Sequence, residues 1–192
     1  MDIRDKIFKL RGFTPVPFIL VALVWAQPNY ILLTLGLILS LIGETIRFNA
    51  IFHAGSETRT RNVGASRLIT SGPYSVTRNP LYYGNLLMYI GYALGSAALL
   101  PWFPVIAFLY IIFQYYMIIL LEEETLRELF GKEYEDYCEK VPRLFPRLFA
   151  RREKTGKYYT FKEAVRSEKS TLTALVFTWA LLIIRILLLP LI

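Results

Sequence analysis

Residues 79–121 read NPLYYGNLLMYIGYALGSAALLPWFPVIAFLYIIFQYYMIILL, and no Asp, Glu, Lys or Arg interrupts them. A helix crosses the hydrocarbon core of a bilayer with roughly 20 apolar residues, so the stretch has room for two crossings. Pro101-Trp102-Phe103-Pro104 divides it, because proline ends helices and starts turns. A soluble helix of this length would carry a polar face, and neither half does. This stretch decides the fold class: an all-α, polytopic membrane helix bundle.

Working outward, two more stretches share the pattern. Residues 12–43 carry no charge and break at Pro28-Asn29; residues 170–184 carry none, and only Arg185 interrupts the apolar run that follows. The expected spans are 14–27, 30–52, 80–100, 104–121 and 171–192, about five membrane helices at that crossing length. The first is short and carries Pro15 and Pro17, which predicts a tilted or shallow segment. No small-residue cleavage site follows it before the next apolar span, so it does not read as a cleavable signal.

The basic residues alternate with these spans. Arg4, Lys6, Lys9 and Arg11 precede the first; Arg59, Arg61, Arg67 and Arg78 follow the second; residues 122–170 hold twelve Lys or Arg. The tight turns around Pro28 and Trp102 have none. By the positive-inside rule, the N-terminus and every basic segment face the cytoplasm, and the C-terminus lies on the other side. The net charge of +7 then suits anionic lipid headgroups and needs no nucleic acid. A single cysteine, Cys138, leaves no intramolecular disulfide. With one histidine, His53, neither a multi-histidine metal site nor a Ser-His triad is expected.

Two cytoplasmic segments carry the chemistry. The first runs Ser71-Gly72-Pro73-Tyr74-Ser75-Val76-Thr77-Arg78-Asn79-Pro80-Leu81-Tyr82-Tyr83-Gly84. Gly72-Pro73 and Asn79-Pro80 are turn signals around a short extended piece, and Pro80 suits the first turn of a helix. Arg78 then sits at the bilayer interface. Gly84, a turn inside, lets a backbone or ligand approach closely. The plain alternative is an interfacial anchor of snorkelling Arg and belt-forming Tyr.

The second begins at Glu122-Glu123-Glu124, where the fourth span ends. It continues through Leu126, Leu129, Phe130-Gly131, Glu133-Tyr134, Tyr137 and Val141-Pro142-Arg143 to Pro146. Leu126, Leu129 and Phe130 share one helical face, Phe130-Gly131 reads as a helix stop, and Tyr134 and Tyr137 share a face of a second short helix. An amphipathic hairpin on the membrane would explain the apolar faces. Carboxylates beside a negative leaflet additionally call for a cation or donor to meet them.

Together these segments resemble the isoprenylcysteine carboxyl methyltransferase and phospholipid methyltransferase superfamily. Its members share a GPY…RHPxYxG segment entering a membrane helix and an EExxL…FGxEYxxY…VPR…P segment after a later one. The resemblance covers about residues 40–147, including a weaker match at Arg47-x-x-Ala50. It implies an integral membrane methyltransferase core in residues 1–147; residues 148–192 lie beyond the resemblance and read, from their charge and apolar run, as a basic cytoplasmic linker and one more transmembrane helix. It implies S-adenosylmethionine (SAM) entering from the cytoplasm and a lipophilic acceptor, a prenylcysteine-like carboxylate or a phospholipid amine, arriving through the bilayer.

On that resemblance Arg78, Asn79, Tyr82, Gly84, Glu122, Glu123, Tyr134, Tyr137 and Arg143 are the cofactor-site residues, with Arg78, Asn79 and Glu123 closest to the chemistry. Glu122 and Glu123 would meet the cofactor's ammonium or sulfonium, Arg78 an anionic group, and the tyrosine faces a cation. Glu44, Arg47 and His53 are acceptor-side candidates. Glu44 and Arg47, three apart, either pair with each other or line the acceptor pocket. Gly91 and Gly95 either pack helices or leave cofactor room. One departure matters: Asn79 stands where the family has His, and Asn cannot titrate near neutrality. An NADPH-binding protein of the sterol-reductase kind and a non-catalytic membrane scaffold are the competing readings.

Overall fold

The computed structural model describes residues 2–54, 67–147 and 160–188. Their regular elements are helical: α1 (Ile3–Leu10), α2 (Val16–Val24), α3 (Tyr30–Ala54), a 3-10 turn (Gly72–Ser75), α4 (Pro80–Gly95), α5 (Trp102–Phe130), α6 (Lys132–Lys140) and α7 (Phe161–Leu188). Of these, α3, α5 and α7 are each long and apolar enough to cross a membrane. Ile31, Leu35, Leu109, Phe113, Val176 and Phe177 stand exposed on their outer faces. Apolar surface on this scale belongs in lipid, so the chain is an integral membrane protein.

The expected spans shift at their ends. α4 stops at Gly95 rather than at 100, because residues 96–101 form the turn into α5. α5 does not end at Leu121. It continues to Phe130, and at about 1.5 Å per residue its 29 residues exceed the roughly 30 Å hydrocarbon core, so its last turns project beyond it. Gly131, with φ +50, then turns the chain into α6, a backbone region that glycine reaches without steric cost. α7 starts at Phe161, ahead of the apolar run.

The first expected span takes a different form. α2 has nine residues, about 13 Å of helix, too short to cross alone. Yet α1 and α2 together run antiparallel beside α5. Arg4 pairs with Glu124 at 2.8 Å, and Phe8 is buried against Ile111, Tyr115, Ile118 and Ile119. Gln114 Nε2 donates to Thr14 Oγ1 at 2.8 Å. The Phe18 ring lies 4.9 Å from that of Tyr110 and 6.3 Å from that of Phe103. Finally the Gln27 amide donates to the Ser96 carbonyl at 2.9 Å. The chain thus travels the length of α5 in two helices broken around Gly12–Pro15.

α3 and α4 form the closest pair. A Cβ on Gly43 would stand 2.5 Å from the Gly84 carbonyl oxygen, and one on Gly91 2.5 Å from that of Gly36. The pairing 36 with 91 and 43 with 84 makes the helices antiparallel. Ser40 Oγ donates to the Met88 carbonyl at 3.1 Å between them. Small residues let membrane helices approach to backbone contact. Gly91 is therefore a packing residue, and so is Gly95, which meets the Trp179 ring of α7. α7 closes the bundle, packing Trp179, Leu182 and Ile186 against Ala22, Ala26, Tyr92 and Phe103.

Arg59 and Arg61, the basic run Arg151-Arg152-Glu153-Lys154 and most of the expected linker lie outside the described residues.

Candidate active site

The two motif segments meet at one end of the bundle. Residues 76–79 and 141–147 lie alongside each other: the Arg78 amide donates to the Pro142 carbonyl at 2.9 Å and the Arg147 amide to the Val76 carbonyl at 3.2 Å. Thr77 Oγ1 donates to the Leu144 carbonyl at 2.8 Å, and Asn79 Nδ2 to the Arg143 carbonyl at 2.8 Å. The prolines at 73, 80, 142 and 146 keep these pieces from becoming helix, which leaves their amides and carbonyls free to pair with one another.

Glu123 is the hub. Its side chain is 2% exposed. Arg78 donates to Oε1 from Nη2 at 2.7 Å and from Nε at 3.2 Å. Arg143 takes both oxygens, Nη2 to Oε2 at 2.9 Å and Nε to Oε1 at 3.1 Å. Arg127, one turn on, approaches Oε2 at 3.5 Å. Arg78 also donates Nη1 to the carbonyls of Cys138 and Val141, at 2.9 and 2.8 Å. One guanidinium thus joins the start of α4, the end of α5 and the end of α6. Glu123 is expected from the sequence to meet a cofactor ammonium and Arg78 a cofactor anion; in this geometry the two side chains meet one another. Each is already engaged by the other, because a buried carboxylate needs a cation at hand. The bond to Glu123 raises the Arg143 guanidinium further above its ordinary range.

Glu122 differs from its neighbour. It accepts from the Tyr82 hydroxyl at 2.7 Å through Oε1, and the charge of Arg11 lies near it. The Tyr82 ring lies 4.9 Å from that of Tyr115, tilted by 40°. Tyr74, in the 3-10 turn, belongs to the same neighbourhood: burial first, then the charge of Glu122, push its phenol well above its ordinary range.

The remaining candidates separate. Tyr134 and Tyr137 are buried with Val141 in a small core under α6, their rings 6.1 Å apart. The Tyr137 hydroxyl donates to the Tyr74 carbonyl at 2.6 Å, and burial raises both phenols, so they stay protonated. Both side chains are buried. Gly84 serves the helix pair: a Cβ there would stand 2.6 Å from Arg47 Cγ. His53 lies against Gly72, whose φ is +60 and whose added Cβ would overlap the imidazole.

Glu44 and Arg47 form a second polar cluster. Arg47 Nε is 3.7 Å from Glu44 Oε2. Its shorter bonds go elsewhere, from Nη1 to Asn85 Oδ1 at 2.6 Å and from Nη2 to Glu168 Oε1 at 2.7 Å. Asn85 and Glu168 are partners that the sequence did not announce. Glu168 is fully buried, yet it sits in the charged run before the last apolar stretch, where it reads as a solvated residue. Arg127 was detectable as the i+4 partner of Glu123.

Comparison with known proteins places this geometry in context. A family profile described as phospholipid methyltransferase matches residues 19–133. A probable protein-S-isoprenylcysteine O-methyltransferase of Oryza sativa subsp. indica is 35% identical over 113 residues, 55% of this chain and 56% of that protein. A cobalt-zinc-cadmium resistance protein of Cupriavidus metallidurans is 35% identical over 129 residues, 65% of this chain and 52% of the other. A Delta(14)-sterol reductase of Mus musculus is 30% identical over 104 residues, covering 50% of this chain but only 23% of its own length. The chain spans about half the length of the methyltransferase and resistance relatives it matches.

Proposed function

Because the chain belongs to the phospholipid methyltransferase family, we propose that it is an integral membrane, SAM-dependent methyltransferase acting on a lipophilic acceptor. The observation that carries this reading is the unequal pair at the end of α5. Glu123 is consumed by Arg78 and Arg143, while Glu122 is bonded to a neutral donor, the Tyr82 hydroxyl.

The donor set fits SAM. Glu122 would hold the ammonium, Arg143 the carboxylate through its remaining nitrogen, and the Tyr82 ring would face the sulfonium. SAM supplies an electrophilic methyl group to a nucleophile that approaches in line with the carbon–sulfur bond. The protein's share is positioning and exclusion of water, which can account for several kcal/mol of barrier reduction. The Arg78–Glu123–Arg143 hub fixes the loop 141–147 over the start of α4, so the cofactor groups converge on a preformed wall. A carboxylate acceptor needs no base. An amine acceptor must lose its proton; Asn79 cannot take it, and Glu122 is the carboxylate outside the Arg78–Glu123–Arg143 hub.

We also propose five crossings, the first being α1 with α2, which places the N-terminus and both motifs on the cytoplasmic side by the charge of the connecting segments. A sterol-reductase-like function has less support, since the likeness covers a small share of that relative. A metal-handling role has less as well: among the described residues no group of three or more His, Cys, Asp or Glu is placed to hold an ion.

Thermal shift of the detergent-purified protein tests the reading. SAM should raise the unfolding midpoint and NADPH should not; stabilisation by NADPH alone, or by neither, sinks it. Glu122→Gln should weaken SAM binding about tenfold, or about 1.4 kcal/mol, and leave the midpoint without SAM within a few degrees of wild type. Unchanged affinity would remove Glu122 from the site.

A further inference from the structure

Arg185 lies on the last helix, 17 residues beyond Glu168. At about 1.5 Å per residue this is roughly 25 Å along α7, at the opposite end of the bundle from both motifs. Leu182 and Ile186 on either side pack into the cluster with Ala22, Ala26 and Phe103, which fixes α7 in rotation. The guanidinium is held partly inside: its Nη1 is buried and has no hydrogen-bond partner.

The sequence supplies no carboxylate side chain to meet it. Residues 12–43, 79–121 and 169–192 contain no Asp or Glu, and among the described residues these segments make the turns and helix ends on that side. A guanidinium at the edge of the hydrocarbon core is costly unless an anion or water meets it. It is also the single basic residue on a side that otherwise carries none, against the trend that places Lys and Arg on the cytoplasmic face. A planar fork with an open nitrogen matches a phosphate. The phosphates present at that depth belong to the lipids of the adjacent leaflet.

We propose that Arg185 binds the phosphodiester of a glycerophospholipid in the leaflet opposite the two motifs. The bound lipid is a structural ligand separate from the methyl acceptor, since it sits roughly 25 Å from the motif end by the same helical rise. The lipid's acyl chains would lie against the exposed Ile184 and Leu188 of α7. The inference stands whether or not the methyltransferase reading holds.

Native mass spectrometry of the delipidated, detergent-purified full chain tests it. Phosphatidylglycerol, diacylglycerol of the same acyl chains, and sodium phosphate are each titrated. The wild type should retain one phosphatidylglycerol and discriminate against diacylglycerol at least tenfold. Arg185→Gln should lose at least tenfold in phosphatidylglycerol affinity and Arg185→Lys less. Equal retention by wild type and Arg185→Gln overturns the proposal. So does equal binding of diacylglycerol, or inorganic phosphate binding as tightly as the lipid, which would mark a free-anion site. Should Arg185→Gln fail to fold, the comparison of the three ligands on the wild type decides alone.

Discussion

Glu123 has both carboxylate oxygens occupied, by Arg78 and Arg143, and almost no contact with solvent. Removing one member of a buried ion pair strands the other, at a cost of roughly 3–5 kcal/mol. Glu123→Gln is therefore expected to lower the unfolding midpoint in detergent sharply, before any effect on cofactor is considered. Glu122→Gln, one residue away, leaves the Arg78–Glu123–Arg143 hub intact and should not. A midpoint for Glu123→Gln equal to that of wild type would remove Glu123 from the centre of the fold. The sequence places both glutamates at the right helix end, yet it cannot rank them. Their difference comes from the register of residues 141–147 against 76–79, which turns Arg143 toward one carboxylate only. Asn79 was legible as a departure that abolishes titration; that its amide fastens the Arg143 carbonyl needed the structure.

At the scale of helices, the α3–α4 pair tolerates no added volume. A Cβ at Gly91 would meet the Gly36 carbonyl and Ser40 Oγ, each at 2.5 Å, and the first of these is backbone that cannot rotate away. Gly91→Val should destabilise by about 1–3 kcal/mol, the usual cost of overpacking. Gly12→Ala should be silent, since nothing lies within 4 Å of an added Cβ there. Equal midpoints for the two variants would refute the close packing. The sequence shows α3, the start of α4 and the apolar part of α7 directly, because length and hydrophobicity suffice for them. It reads the first crossing as short, because Pro15 and Pro17 break the helix that hydropathy alone would draw. What lays this segment along α5 is tertiary: Arg4, Thr14 and Phe18 each find a partner there, and no local pattern announces those contacts.

For the whole molecule, the charge pattern and the site agree on one face. Cys138, the sole cysteine, sits on α6 at that face and is partly exposed. A membrane-impermeant maleimide should label it in inside-out vesicles and spare it in right-side-out ones; the reverse result would invert the proposed topology. α7 lies outside the stretch matched by the family profile, yet its Glu168 is buried near the motif end of the bundle, where it meets Arg47, a partner 121 residues away in the chain. That separation is also an interval in time. Ribosomes add about 5–20 residues per second, so in a chain inserted as it is made, Arg47 waits about 6–24 s before Glu168 exists. Glu44, one turn back on the same helix at 3.7 Å, is the acid born with it. A carboxylate is therefore within reach of the guanidinium as soon as this helix forms, before the tighter contact to Glu168 can exist.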